Sequence, residues 1–195
     1  MEIILASTSE IRRKILRNAG IELSVVDSEL DETEAKKSIG KILPRNLAVE
    51  LAKLKSQKVS REHPRALVIG ADQVLGFKGS VFNKPASREE AKKQLLQLRN
   101  ETHTLFSAVS CSVAGTEVWS HCADARLTMR NFTKNFLKSY LDVDADEYLS
   151  SVGAYKLEKI GIQLLETIEG DYFTILGLPM LPLLKFLRDR EVVSS

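Results

Sequence analysis

Residues 2–20 carry the sequence EIILASTSEIRRKILRNAG. The apolar run at 2–6 is followed by three hydroxyl side chains, and apolar residues then recur at helical spacing as far as Gly20. This order predicts a strand, a loop and a helix that ends at the glycine. A strand that leads directly into a helix favours an α/β fold, in which helices cover the faces of a central sheet.

Helices and strands alternate along the remainder of the chain. Cap residues and apolar stripes predict helices at 44–60, from Ser87, at 133–141, from Asp144 and from Pro179. Alternation and turn residues predict strands at 66–71, 74–82, 102–113, 117–129, 161–167 and 172–176, with hairpin turns at Lys78-Gly79 and Ala114-Gly115. Because neither a repeat nor a linker divides the sequence, we expect a single domain over residues 1–195. It should contain a mixed, twisted sheet flanked by helices, with a β-rich second lobe closely packed on the first.

The composition is that of a folded globular protein. Hydrophobic residues make up 44% of the 195 and charged residues 28%, which excludes a disordered or collagenous chain. The net charge of +2 provides no dominant basic surface for duplex nucleic acid, so we expect a small partner. No apolar run reaches the roughly 20 residues of a membrane span and no basic leader is present, which predicts a cytoplasmic protein without a membrane partner. Cys111 and Cys122 form no metal or redox motif and are interpreted as packing thiols.

The loop between the first strand and helix is the first candidate site. Ser7, Thr8 and Ser9 precede Arg12 and Arg13 at the predicted start of the helix. Hydroxyl groups, backbone N–H groups and the helix dipole all favour an anion there, and guanidinium groups can bind phosphate oxygens in pairs. The alternative is a hydroxyl cap before a solvated basic helix face, and this segment alone does not decide between them. Since no Walker lysine follows, a P-loop is excluded.

Carboxylates form the second group of candidates. Asp72 follows the buried strand predicted at 66–71, where it can bind a metal or activate water; the alternative is a turn-forming aspartate in the hairpin. Asp31, Glu32 and Glu34 form an acidic cluster in a predicted loop. Their oxygens suit Mg²⁺ or Mn²⁺, although by themselves they are typical of solvent-facing charge.

Further candidates are two lysines and a short segment rich in small residues. Lys84 follows the hairpin and Lys55 lies on the basic face predicted for the second helix; taken alone, each is more typical of a solvated lysine than of a ligand. His103 falls on a predicted strand and is interpreted as a structural residue. Residues 153–158 read GAYKLE, in which the carboxylate of Glu158 can accept hydrogen bonds from two adjacent donors of a guanine edge.

Taken in this order, the segments resemble the Maf family of nucleotide pyrophosphatases. The resemblance spans nearly the whole chain and includes 5–13, 26–32, 51–55, 70–73, 84–85, 102–103, 153–155 and 176–179. It implies a Maf/inosine-triphosphatase-like fold with an active-site cleft between two lobes. It also suggests a homodimer.

The resemblance implies an activity and roles for individual residues. The reaction is hydrolysis of a nucleoside triphosphate between the α and β phosphates, assisted by a divalent cation (Mg²⁺, Mn²⁺ or Co²⁺). Asp72 would act as proton acceptor or metal ligand, and Glu32 would help to bind the metal. The side chains expected to bind phosphate are Ser7, Ser9, Arg12, Arg13, Lys55 and Lys84.

Three departures from the usual family pattern bear on the substrate. Gln73 stands where threonine is common, Glu10-Ile11 where Pro-Arg is usual, and the sequence at 151–158 is SVGAYKLE instead of KAGAYGIQ. This combination is similar to the branch of the family that acts on 7-methyl-GTP. Ile11 offers an apolar surface and Glu158 offers an acceptor-only carboxylate to a cationic methylated guanine. We therefore expect Ile11, Gln73 and Glu158 to select the base, with Lys156 as a further pocket residue.

Other functions remain open at this point. A dTTP or UTP pyrophosphatase would use the same chemistry, but Gln73 and Glu158 argue against it. A nucleotide-binding septum-formation inhibitor without turnover would not need the catalytic set that includes Asp72 and Glu32. A structural protein that binds no nucleotide would not need the phosphate-binding side chains. We expect an enzyme that removes modified nucleotides.

Overall fold

A computed structural model describes residues 1–143 and 148–193. The strands are β1 (Ile3–Ala6), β2 (Ser24–Val25), β3 (Leu67–Phe77), β4 (Ser80–Phe82), β5 (Thr102–Val113), β6 (Thr116–Met129) and β7 (Leu165–Glu169). The helices are α1 (Glu10–Asn18), α2 (Glu32–Ile39), α3 (Pro44–Glu62), α4 (Arg88–Leu98), α5 (Lys134–Leu141), α6 (Tyr172–Ile175) and α7 (Met180–Asp189). Short 3₁₀ helices lie at Val152–Ala154 and Ile160–Leu164. Within these residues, no helix combines the length and the apolar character that crossing a membrane requires.

The strands form one seven-stranded mixed sheet. Its order is β2-β1-β3-β5-β6-β7, with β4 paired to β3. β1 is parallel to both of its neighbours, whereas β3–β4 and β6–β7 are antiparallel. The predicted mixed α/β fold is confirmed. All four residues of β1 are buried, as is typical of a parallel strand covered on both faces.

Contacts divide the chain into two compact units. The first contains Met1–Gln73, Ser107–Ala123 and the residues from Gly177 onward, and the second contains Val74–Phe106 and Asp124–Leu176. Fully buried side chains of the first unit include Leu5, Leu16 and Leu51. In the second unit, Leu95 and Leu127 are fully buried.

Helix α3 packs closely against β3 in the first unit. A methyl group at Gly70 of β3 would overlap the carbonyl oxygen of Ala52 and lie 2.6 Å from the amide nitrogen of Ser56. Ser56 also bonds to Ser112 of β5 at 2.8 Å and to Ser110 at 3.1 Å. These contacts fix the position of the helix along the sheet.

Several local predictions are confirmed. Helix α3 begins at Pro44, and α4 is capped by Ser87, whose Oγ accepts from the Glu90 amide at 3.2 Å. Thr133 likewise caps α5. The turn between β3 and β4 has left-handed Lys78 and Gly79, as a tight hairpin requires.

Other local predictions are wrong. The strand predicted to end at residue 71 does not end before Asp72, because β3 continues to Phe77. The neighbouring strand β1 ends earlier, at Ala6, which pairs with Gly70. The acidic cluster is not in a loop, because α2 begins at Glu32 and Asp31 caps it by accepting from the Glu34 amide at 2.9 Å.

The last quarter of the chain also differs from expectation. The strand predicted at 172–176 is helix α6, which is capped by Asp171, whose Oδ2 accepts from the Thr174 amide at 2.8 Å. The strand predicted from Gly161 begins later, at Leu165, because a 3₁₀ helix occupies Ile160–Leu164. The helix predicted from Asp144 starts outside the described residues.

Candidate active site

A lysine bridges two carboxylates in the first unit. Lys55 Nζ lies 2.6 Å from Asp72 Oδ1 and 2.7 Å from Glu32 Oε1. The side chains of Lys55 and Asp72 are only 11% and 9% exposed, whereas that of Glu32 is 45% exposed. The predicted solvated face for Lys55 is therefore wrong, since it lies on the buried face of α3.

The close approach at Gly70 explains this arrangement. Lys55 lies next to Ser56 on α3, and Asp72 lies two positions beyond Gly70 on β3. Because helix and strand are in contact at Gly70, the two side chains meet directly beyond that contact. Glu32 reaches the same ammonium group from the first turn of α2.

The environment of Asp72 changes its acidity. Burial raises the pKa of its carboxyl, Lys55 and Arg12 act in the opposite direction, and Glu32 raises the pKa further. The balance leaves the pKa above the ordinary value for aspartate. A carboxyl with a raised pKa is a better proton acceptor near neutral pH, so Asp72 suits general-base chemistry.

Arg12 is anchored beside this cluster by three acceptors. Nε donates to the Gly177 carbonyl at 2.8 Å, and Nη1 donates to the Ala71 carbonyl at 2.9 Å and to Ser7 Oγ at 3.3 Å. Burial lowers the pKa of Arg12 while Asp72 and Glu32 oppose that effect, and the guanidinium remains charged. Its orientation is therefore set before any ligand binds.

Gly177 packs closely against the guanidinium that it helps to anchor. Its φ is +91°, and a methyl group there would lie 3.1 Å from Arg12 Nη2. The role of this glycine and of the Ala71 carbonyl was not predicted. The only signal in the sequence was the family-like segment at 176–179.

The remaining residues of the first loop are more open. Arg13 is half-exposed, with Nη2 3.9 Å from Glu10 Oε1. Ser9 occupies the cap position of α1, yet within the described part of the chain its side chain makes no capping hydrogen bond. Ser9 therefore does not act as the hydroxyl cap that was the alternative interpretation of this loop. The Ser9 hydroxyl lies at the N-terminus of a nine-residue helix.

The other predicted site residues, which include the phosphate ligand Lys84 and those expected to select the base, are divided between the two units. In the first unit, Ile11 is partly buried on α1, and Gln73 Nε2 donates to Ser107 Oγ at 2.9 Å. In the second unit, Lys84 is exposed after β4, and Lys156 and Glu158 are partly buried after Tyr155. The structure thus brings Ser7, Arg12, Glu32, Lys55 and Asp72 together within the first unit.

The carboxylates of this cluster fit a divalent cation. Asp72 and Glu32 converge on a single positive group, and hard oxygen donors of this kind are preferred by Mg²⁺ and Mn²⁺. In residues 1–143 and 148–193 there is no group of three or more acidic, histidine or cysteine side chains suited to a metal. An ion held by these two carboxylates would take its other ligands from water and phosphate oxygens, as Mg²⁺ does at phosphate sites.

Comparison with known protein families matches residues 2–190 to the family described as Maf-like protein. The chain belongs to the Maf family. A nucleoside triphosphate pyrophosphatase of Paramagnetospirillum magneticum is 49% identical over 95% of this chain and 97% of its own length. One from Hyphomonas neptunium is 45% identical over 100% of this chain and 99% of its own. A 7-methyl-GTP pyrophosphatase of Rhizobium johnstonii is 46% identical over 100% of this chain and 98% of its own length. The family resemblance inferred from the sequence is confirmed.

Proposed function

We propose that this Maf-family chain is a nucleoside triphosphate pyrophosphatase that converts 7-methyl-GTP to 7-methyl-GMP and diphosphate. Family membership and the curated relatives support the general activity, hydrolysis of a nucleoside triphosphate to the monophosphate. The structural observation that carries the proposal is the cluster of Arg12, Lys55, Asp72 and Glu32. It combines cations for phosphate with a carboxyl suited to accept a proton.

The cations of the cluster suit a triphosphate. Phosphoryl transfer depends mainly on positioning and charge stabilisation, and a triphosphate carries about four negative charges. Arg12 offers a guanidinium whose plane is already fixed by backbone carbonyls, which lowers the entropic cost of binding. Ser7, Ser9 and Arg13 at the start of α1, together with Lys55 and Lys84, are the further phosphate ligands of the proposal.

Asp72 is the proposed proton acceptor. Its raised pKa suits removal of a proton from the attacking water, and Lys55 at 2.6 Å orients the carboxylate and stabilises its charge. Glu32 would hold the divalent cation, and binding of the cation by Asp72 is the alternative to its role as proton acceptor; when bound, the cation supplies charge neutralisation at the phosphoryl oxygens. Arg12 and Lys55 provide the remaining positive charge.

The preference for 7-methyl-GTP rests on Ile11, Gln73 and Glu158. Glu158 offers only acceptors, which match the adjacent N1–H and amino donors of guanine and favour a cationic ring, whereas a pyrimidine lacks that edge. Lys156 is a further pocket residue of the proposal. The name of the Rhizobium johnstonii relative supports this preference, while the other two relatives have names that specify no base.

The test is diphosphate release from 7-methyl-GTP, GTP, dTTP, UTP and CTP with Mg²⁺ or Mn²⁺. We expect 7-methyl-GTP to give the highest kcat/KM. Glu158→Gln should lower kcat/KM for 7-methyl-GTP relative to UTP. The corresponding difference in activation free energy is roughly 1–3 kcal/mol, the cost of losing a charged hydrogen bond. Glu166→Gln, which changes an exposed carboxylate of the same unit, should leave the ratio unchanged.

Three other results would contradict parts of this proposal. If dTTP and UTP give the highest rates, the general activity stands and the base assignment fails. Equal losses on both substrates in Glu158→Gln would remove Glu158 from base selection. No release from any nucleotide would favour a binding role without turnover.

A further inference from the structure

A buried histidine and a buried tyrosine share a hydrogen bond in the second unit. His103 Nε2 and Tyr155 Oη lie 2.7 Å apart, and the two residues are 1% and 4% exposed. Their rings meet edge to face with centroids 5.6 Å apart. Burial lowers the pKa of His103 to about 4 and raises that of Tyr155, so both groups are neutral near pH 7. The bond joins the start of β5 to the segment that carries Lys156 and Glu158.

The backbone just before Tyr155 is held in a costly conformation. Gly153 and Ala154 have φ values of 78° and 62°, and a left-handed alanine costs roughly 1–2 kcal/mol. The Tyr140 hydroxyl donates to the Ala154 carbonyl at 2.9 Å. A methyl group at Gly153 would lie 2.6 Å from Leu75 Cδ1, so the chain is packed tightly at this turn. A strained residue of this kind persists only where its surroundings hold it.

The backbone just after Tyr155 is equally constrained. The Lys159 amide donates to the Lys156 carbonyl at 3.3 Å, and a methyl group at Gly161 would overlap that carbonyl oxygen. Leu157 is buried, whereas Lys156 and Glu158 on either side of it are only partly buried. The buried Tyr155 and Leu157 therefore anchor the stretch from which the two charged side chains project.

We propose that His103 is a positioning residue for base selection, which acts by holding Tyr155 and with it the 153–158 segment that presents Lys156 and Glu158. His103 has no contact with substrate in this role. A hydroxyl–imidazole bond between two neutral groups keeps the same geometry over the neutral pH range. The inference rests on the proposed function, because it assigns the base to Glu158.

Tyr155→Phe removes the hydroxyl while keeping the ring, and it is the test variant. We expect KM for 7-methyl-GTP to rise about 3- to 10-fold, the equivalent of one lost hydrogen bond, with kcat and the KM for UTP nearly unchanged. Tyr148→Phe is the matched control, since Tyr148 is 2% exposed in the same unit and its hydroxyl lies 3.5 Å from the Leu141 carbonyl. It should leave the selectivity unchanged. Thermal unfolding of both variants reports whether they are folded.

A second pair of variants tests the same proposal if Tyr155→Phe does not fold. His103→Gln retains a polar partner for the tyrosine and should keep the preference for 7-methyl-GTP, whereas His103→Phe should lose it. Equal changes for 7-methyl-GTP and UTP, or no change in either, would show a purely structural role and overturn the inference. If the wild-type protein releases no diphosphate, the proposed function fails and the inference fails with it. If wild type prefers 7-methyl-GTP and Tyr155→Phe retains that preference, the inference alone is wrong.

Discussion

At the scale of single residues, Asp72 combines a buried position with a cationic partner. Asp72→Asn preserves the size and much of the hydrogen bonding but removes the proton acceptor. We expect kcat for diphosphate release to fall roughly 10²- to 10⁴-fold, as for other losses of a general base. Stability should be retained, because the change removes a buried charge and Lys55 keeps its contact with Glu32. Asp189→Asn, at an exposed carboxylate of the same unit, should have normal turnover, and normal turnover in Asp72→Asn would exclude Asp72 from the mechanism.

The adjacent arginines of α1 should respond differently to the same substitution. Arg12→Lys cannot reproduce the bonds of Nε and Nη1 to two carbonyls, so the free energy of unfolding should fall by roughly 2–4 kcal/mol. Arg13→Lys should change it by less than about 0.5 kcal/mol, because its ion pair with Glu10 is exposed and long. Urea unfolding measures both. Equal losses in the two variants would contradict the anchoring role of Arg12, and reduced turnover without loss of stability in Arg13→Lys would support a phosphate contact.

At this scale the sequence predicted side chains that the structure brings together, but not the contacts they make. Hydroxyl, guanidinium and carboxylate groups in a fixed order indicated a phosphate site with a proton acceptor. The ion pairs of Lys55 were missed because charge alone placed it on a solvated face, while the positions of Leu51 and Val59 put it on the buried side. The carbonyls that hold Arg12 leave no signature in a sequence, since every residue has one.

At the scale of secondary-structure elements, the packing of α3 on β3 determines where Lys55 and Asp72 meet. Gly70→Ala should lower the free energy of unfolding by roughly 1–3 kcal/mol, because the added methyl group overlaps helix backbone that has to shift. Turnover should fall as well, since the shift separates the lysine from the carboxylate. Gly79→Ala is the comparison: a methyl group there meets nothing, φ is +78°, and the cost is about 1 kcal/mol of backbone strain. Normal turnover in Gly70→Ala would show that the contact does not control the site.

Long elements with periodic apolar residues or clear caps were predictable, whereas the short helix α6 was not. Helix α3 and the strands β5 and β6 extend over many residues, so their apolar patterns repeat several times. The four residues of α6 are rich in aromatic and β-branched side chains, which favour a strand. The carboxylate of Asp171 overrides that preference by capping the first turn.

At the scale of the whole molecule, the two-unit organisation follows from long strands rather than from a linker. β3, β5 and β6 each contribute residues to both units, so no change of composition marks the division. The sequence, which contains no linker, predicted a single domain with a mixed sheet and a β-rich second lobe. Acid changes the free energy of unfolding through buried titratable groups, because their pKa values differ between the folded and the unfolded chain.

Protonation of buried His103 links the stability of the chain to pH. The pKa of His103 is about 4 in the folded chain and about 6.5 when unfolded, so below pH 6.5 the unfolded chain binds a proton that the native chain excludes. The free energy of unfolding should therefore fall as the pH drops from about 6.5 to about 4, by roughly 2 kcal/mol at pH 5 and roughly 3 kcal/mol in full. The double variant His103→Phe/Tyr155→Phe replaces both partners by apolar rings and should lose this dependence. Asp72 and His121, whose pKa values burial also shifts, are present in both proteins and cancel in the comparison. Urea unfolding at pH 7 and pH 5 measures the difference, and equal losses in the two proteins would show that His103 is not the group that titrates.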